Sequence, residues 1–277
     1  MEPVLDNHLH LDPEHGNGIE AVREFARAGG THLLVVNKPS WQLGVEPDDP
    51  ADFRPVFERT VAVVESAAAE LPGTAWPVLG VHPTLISRLV GERGFAPAEA
   101  KDLMAGGLEL AAEYARDGPA VALKSGRPHY DVAEDVWAAS NAVLRRGLEL
   151  GADCGVPVQL HTEATEDLAE VGEWAADAGL PPERVVKHYA AGRCAGVTPS
   201  VMSRKENLRE AAERDDPFLM ETDFIDDPDR PGAVLGPKTV PRRVEWLREE
   251  GHAEAIKRAH VETPRLVYDI DTTATLE

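Results

Sequence analysis

Ten histidines lie along the 277 residues of the chain, and five of them fall at or beside the ends of short apolar runs. His8 and His10 close "VLDNHLH", His82 follows "WPVLGV", His161 closes "VPVQLH" and His188 closes "RVVKH". Two further chemical groups occupy equivalent places, Lys124 after "AVAL" and Asp223 in "PFLMETD". Imidazole nitrogens with one carboxylate make a donor set suited to a divalent metal, at about 2.0 to 2.1 Å for nitrogen to zinc. His8 and His10 are the sharpest pair, because residues i and i+2 of a strand share a face and both rings can reach one ion. Asp223 has a second role open to it. A water whose pKa a metal lowers to about 7 needs a proton acceptor, and a buried carboxylate beside it would serve.

Such a set works only if the fold brings seven distant positions to one place. The apolar runs are each about the length of a strand and rich in Val and Leu, as strands of a parallel sheet covered on both faces are. Segments with helical spacing alternate with them, at residues 20–28, 53–71, 98–116, 132–150 and 165–178. Gly or Pro stops most of these patterns, as in "ARAGG", "ELPG", "RDGP" and "LGADCG". With "GVTPSVMS" (196–203) as one more strand, weakened by Pro199, the count reaches eight, each followed by a helix. That is the count of a (β/α)8 TIM barrel, an α/β fold whose catalytic groups converge from the carboxyl ends of the strands. A doubly wound open sheet is the competitor, but no G-x-G-x-x-G follows the first strand. The length suits one barrel, so residues 1–277 are expected to form a single domain. The aperiodic, proline-rich stretch 223–241 then becomes a long loop over the functional face.

Composition narrows the setting. Asp and Glu number 49 against 28 Lys and Arg, for a formal charge of −21, and the acids are spread along the whole chain. That pattern resembles proteins of salt-loving organisms and disfavours long-range attraction to nucleic acid at low salt. At molar salt, where the Debye length is about 3 Å, the second argument weakens. No signal core or apolar run of spanning length is visible, so a cytoplasmic protein with no membrane or protein partner is expected. Cys154 and Cys194 are the only cysteines, too few and too far apart for a disulfide framework, and read as free thiols. Against so acidic a background, the cations near the strand ends are notable. Arg127 and His129 directly follow Lys124 and would suit an anionic substrate, with Lys205 and Lys238 in loops of the same face.

Taken in order, "DNHLHLD", "VLGVHP", "ALKSGRPHY", "PVQLHTE", "VVKHY" and "FLMETDF" resemble the motifs of the TatD-like metal-dependent hydrolases of the amidohydrolase superfamily. The resemblance runs from Asp6 to "ETPRLVYDI" near the end of the chain. It implies a hydrolase of ester bonds, deoxyribonuclease-like in this branch, acting on a nucleic-acid or small-molecule ester. It makes His8 and His10 ligands of one metal, His161 and His188 ligands of a second, Asp223 a ligand and proton acceptor, and His82 a residue near the substrate. One position departs: where TatD-like nucleases have a bridging glutamate, this chain has Lys124. A lysine there resembles the phosphotriesterase-like branch, in which it is carboxylated on its side-chain nitrogen, and that resemblance implies phosphotriester or lactone hydrolysis. Charge separates the options for Lys124. Two divalent ions, a bridging hydroxide and Asp223 sum to about +2, which an ammonium would raise and a carbamate would lower. A two-metal site therefore implies N6-carboxylysine at Lys124. A bare ammonium implies one metal, and a lysine turned aside would pair with an acid. The ligand set does not distinguish Zn, Mn, Mg, Fe, Co or Ni. A non-catalytic ligand-binding barrel is the rival from another class.

Overall fold

A computed structural model describes residues 1–230 and 234–276. Nine strands form one parallel sheet: β1 (Leu5–His10), β2 (His32–Val36), β3 (Ala75–Gly80), β4 (Ala122–Gly126), β5 (Val158–His161), β6 (Val185–Ala190), β7 (Thr198–Met202), β8 (Leu219–Glu221) and β9 (Phe224–Ile225). Their order is sequential from β8 back to β1, with β9 beyond β1. β8 pairs with β7, whereas β9, two residues further on, pairs with β1 in the register Leu9 to Phe224 and His10 to Ile225. The short run 219–225 thus touches both edges of the curled sheet. The backbone N–H of Asp223 donates to the His8 carbonyl between them, at 2.9 Å. Read as two halves of one strand, β8 and β9 bring the count to the expected eight.

The helices α1 (Ile19–Arg27), α2 (Arg54–Ala68), α3 (Leu85–Gly91), α4 (Pro97–Arg116), α5 (Glu134–Cys154), α6 (Ala169–Asp177), α7 (Lys205–Ala212), α8 (Thr239–Glu249), α9 (Ala253–Lys257) and α10 (Thr263–Tyr268) cover the sheet. Their starts follow local chemistry. α4 begins at a proline, whose missing N–H costs nothing in a first turn, and Glu99 accepts the Ala96 N–H at 2.8 Å. α5 ends at Gly155 with φ 67, a left-handed conformation that glycine adopts without a Cβ clash. The buried faces of α2 to α6 pack on β3 to β6 through side chains such as Phe57, Leu79, Leu108, Leu144 and Leu160. Truncating any one of these to alanine would cost about 2 to 5 kcal/mol.

Three sequence expectations need correction. Not every strand is followed by a helix, because only the loop 191–197 joins β6 to β7. The segment is rich in Ala and Gly, and a groove of about 750 Å³ lined by Val197, Pro199, Ala211 and Phe218 lies on that flank. Nor does the fourth strand break at Ser125–Gly126; both belong to β4, which places Lys124 in mid-strand. The strand continues because neighbours approach very closely there. A Cβ on Gly126 would lie 1.9 Å from the His161 carbonyl oxygen, and one on Gly80 equally near that of Lys124. The loop expected over 223–241 contains β9 and the start of α8, and its residues 231–233 lie outside the described residues. "GVTPSVMS" does form a strand, with Pro199 inside it. Cys154 and Cys194 are free thiols, and no helix among the described residues is long and apolar enough to cross a membrane.

Candidate metal centre

At the carboxyl end of the sheet the imidazoles converge. His8 and His10 lie edge to face with centroids 5.2 Å apart, His8 stacks on His188 at 3.9 Å, and His161 is 5.2 Å from His188. Asp223 Oδ1 is 3.8 Å from both His8 Nε2 and His10 Nε2. Lys124 Nζ lies within the same cluster, 3.2 Å from His8 Nε2. His82 reaches it from the loop after β3, with its ring 4.7 Å from His161, and His129 Nδ1 is 2.9 Å from His161 Nε2. The fold therefore gathers His8, His10, His82, Lys124, His129, His161, His188 and Asp223.

Outer partners decide which nitrogen of each ring is free. The Nδ1 of His8 faces Gln159 Oε1 at 2.7 Å, that of His10 the Val36 carbonyl at 2.8 Å, and that of His188 Glu221 Oε1 at 2.9 Å. Each partner accepts only, so each Nδ1 donates and carries the proton. Gln159 is itself oriented, because its Nε2 donates to the Asn7 carbonyl and to the Tyr268 hydroxyl. Three Nε2 lone pairs thereby face the centre of the cluster, those of His8 and His188 against Lys124 Nζ at 3.2 Å and His161 Nδ1 at 3.1 Å, the tautomer a metal-binding histidine needs. His82 is held the opposite way. Its Nδ1 accepts the Thr84 N–H at 3.2 Å, so Nε2 is its donor.

Electrostatics favour the ligand form of the rings. Burial first, and then the charge of Lys124, hold His8 and His82 well below the usual histidine range and bring His10 down to about 3. His161 and His188 are lowered in the same way, by burial and neighbouring imidazoles. Burial also pushes the Asp223 carboxyl up and the Lys124 amine down, each opposed by the charge of the other. Glu221 is fully buried and raised well above a normal carboxylate, by burial and then by Asp223, and its Oε2 has no protein partner. Neutral imidazoles around carboxylates that are costly to ionise, one with an orphaned oxygen, form a donor set that a cation would complete. Two groups of ligand atoms are close enough to share an ion: His8, His10 and Asp223, and His8, His188 and Glu221.

Backbone geometry sets Asp223 in place. It has φ 48, rare outside glycine, and follows Thr222, whose N–H and hydroxyl both donate to the buried Asp6 carboxylate at 3.0 and 2.6 Å. Asp6 also accepts the His8 N–H, so one side chain fixes two segments that bear candidate ligands. Burial outweighs these hydrogen bonds and raises Asp6 to about 7.

A match to the model of the family described as "TatD related DNase" spans residues 5–269. The chain belongs to that family. It is also 36% identical over 281 residues to an uncharacterised protein of Methanocaldococcus jannaschii, covering 97% of this chain and 96% of that one. Among solved structures, a TatD-like protein from Archaeoglobus fulgidus matches with TM-score 0.61 at 18% identity, over 96% of this chain and 100% of its own. A lactonase from Listeria monocytogenes gives 0.60 at 12%, over 96% and 94%. An organophosphorus hydrolase from Deinococcus radiodurans gives 0.58 at 15%, over 96% and 92%. At these identities the structural likenesses speak for the fold, and within the TatD family that is a hydrolase fold.

One basic residue is placed differently from the sequence expectation. Arg127 does not aim into the cluster. Its Nε donates to Glu163 Oε2 at 2.9 Å, Nη2 donates to Oε1, Nη1 donates to Asn141, and the guanidinium lies over Trp137 and Trp174. Lys238 pairs with Glu24, and Lys205 lies over the Trp246 ring. Gln159 and Glu221, which sequence reasoning passed over, stand two residues before His161 and Asp223. Two-residue periodicity from a candidate ligand was the signal that could have found them.

Proposed function

We propose that the chain is a metal-dependent hydrolase that turns a water molecule on an ester-type bond, folded as one closed (β/α)8 domain. The convergence of His8, His10, His161, His188 and Asp223 around Lys124 carries this reading. One or two divalent ions bound there would lower the pKa of a water molecule and polarise the bond under attack. His8 and His10 would hold one ion and His161 and His188 the other, with Gln159 and Glu221 fixing the rings of His8 and His188. Asp223 accepts the proton from the attacking water and returns it to the leaving oxygen, so that ester and water become acid and alcohol. His82 donates its Nε2 proton to the substrate, and His129 lies beside it at the mouth.

Family membership points to phosphodiesters, and so to a deoxyribonuclease. The central place of Lys124 favours the second reading, a lactone or phosphotriester. Its neutral amine would add CO2 and lose one proton to give a carbamate, which would offer two oxygen ligands to bound metal. We also read the dispersed acidic residues as an adaptation to concentrated salt in the cytoplasm.

The test strips the protein of metal, reloads it with Zn, Mn or Co, and measures metal per chain. Hydrolysis of bis(p-nitrophenyl) phosphate, single-stranded DNA and δ-valerolactone is then assayed in molar KCl. Metal-dependent turnover of any of the three is expected; no metal retained and no turnover overturns the reading in favour of a ligand-binding barrel. Lys124→Glu should keep two ions and Lys124→Met only one, whereas equal metal content in both removes the carbamate.

A further inference from the structure

Among the described residues the large apolar side chains left exposed are Met1, Tyr130, Tyr189 and Leu266. Two of the four stand at the histidine cluster. The Tyr130 ring lies edge-on to His129 at 5.1 Å and the Tyr189 ring edge-on to His188 at 5.9 Å. His129 and His188 in turn flank His161, at 5.0 and 5.2 Å. The two tyrosines therefore stand on either side of the trio His129, His161 and His188.

Both are held there. Tyr189 has φ 60, a left-handed conformation that a bulky aromatic residue adopts only against steric strain. Its N–H donates to Glu221 Oε1 at 2.7 Å, the oxygen that also accepts from His188, so the strain is fixed by the same carboxylate that orients a candidate ligand. Tyr130 is tied across the mouth, its hydroxyl donating to Ser87 Oγ in α3 at 2.9 Å. The two residues are nevertheless 38% and 44% exposed, beside the candidate reaction centre. An aromatic surface fixed at such a place is suited to stacking against a planar group.

Charge says what kind of planar group. A polyanion would need free cations to meet its phosphates, and apart from Lys124, which the carbamate reading above would make anionic, the basic side chains near the cluster are committed elsewhere. Arg127 is paired with Glu163, Arg88 with Glu46 and Glu92, and Lys38 with Asp12. Lys187 donates to the carbonyls of Thr162 and His188.

We propose that Tyr130 and Tyr189 are the specificity-determining walls of the site and that they select a planar, uncharged aryl ester. This rests on the hydrolase reading above and names its substrate class. The test uses the metal-loaded protein and two lactones, dihydrocoumarin and δ-valerolactone, which differ by a fused arene. Tyr130→Ala and Tyr189→Ala should each lower the ratio of kcat/KM for dihydrocoumarin over δ-valerolactone by up to about tenfold, mainly through KM. Tyr189→Phe should keep the ratio. An unchanged ratio in both folded alanine variants, at wild-type metal content, overturns the proposal. Binding separates this outcome from a failure of the hydrolase reading. Coumarin should bind the metal-loaded wild type more tightly than δ-valerolactone by calorimetry, and the preference should shrink in the alanine variants whether or not either lactone is turned over. Equal binding of the two, or cleavage of single-stranded DNA indifferent to both variants, also overturns it.

Discussion

Buried histidines occupy both ends of the sheet, and the two sets do different things. At the floor, His260 sits in a π-turn (258–262) and accepts the Leu5 N–H on Nδ1 at 3.0 Å, at the start of β1. His32, at the start of β2, bonds the hydroxyls of Thr31 and Thr275 through its two nitrogens. At the mouth, His8, His10 and His188 each spend one nitrogen on an outer acceptor and turn the other inward. Burial lowers both sets, His32 to about 4, His260 to about 3 and His10 to about 3. A depressed pKa therefore does not mark a ligand. What marks a candidate ligand is a lone pair turned towards a carboxylate in the same cluster, as those of His8 and His10 are towards Asp223.

The contrast can be broken by substitution at each end. The largest effect is expected at the mouth: Asp223→Asn removes the proton acceptor and should lower kcat/KM about 10³-fold, measured on whichever ester is turned over. Next, His8→Ala should abolish the stabilisation by added Zn²⁺, which for wild type reaches about 2.7 kcal/mol at a hundredfold excess over Kd. His260→Ala should keep that metal response in full. Its own cost falls on stability, about 2 to 3 kcal/mol by urea denaturation, from a lost ring and an orphaned Leu5 N–H. A metal response lost in His260→Ala would erase the distinction between the two ends.

Acid separates them more finely. His32 is neutral in the fold, with a pKa lowered from 6.5 to about 4, so the unfolded chain takes up its proton first as pH falls. Its contribution is thus present above pH 6.5 and lost as pH falls towards 4. Metal-free His32→Gln should show a shallower loss of stability than wild type between those values. The smallest effect is expected beside the mouth, where Glu163→Gln weakens the clamp on Arg127 and should cost about 1 to 3 kcal/mol without changing metal stoichiometry.

Most of the candidate ligand positions were legible because a strand alternates its faces and an apolar run makes its terminal polar residue conspicuous. His8, His10, His161 and His188 stood out in this way, and the structure gathers them. Gln159 and Glu221 were not legible, since a polar residue inside a strand looks the same whether it faces solvent or props up a ring. Arg127 was not legible, because a turn after a barrel strand commonly aims inward, whereas here Glu163 and two tryptophans hold the side chain aside. The absent helix between β6 and β7 was hidden by composition. "AAGRCAGV" has small residues that neither demand a helix nor forbid one. Lys124 was placed near its real position, one residue before a break that the close approach of Gly126 to His161 removes.

The pairing of β1 with the run 219–225 has a kinetic consequence. Thr222 and Asp6, whose hydrogen bonds stitch that seam, are 216 residues apart, so closing it joins the two ends of nearly the whole chain. Contacts of such separation carry the greatest loop-closure entropy and tend to form late in folding. His8, His10 and Asp223 meet only across this seam. A nascent or partly opened molecule therefore lacks their shared site, and a cation held there would act as a latch on the finished fold.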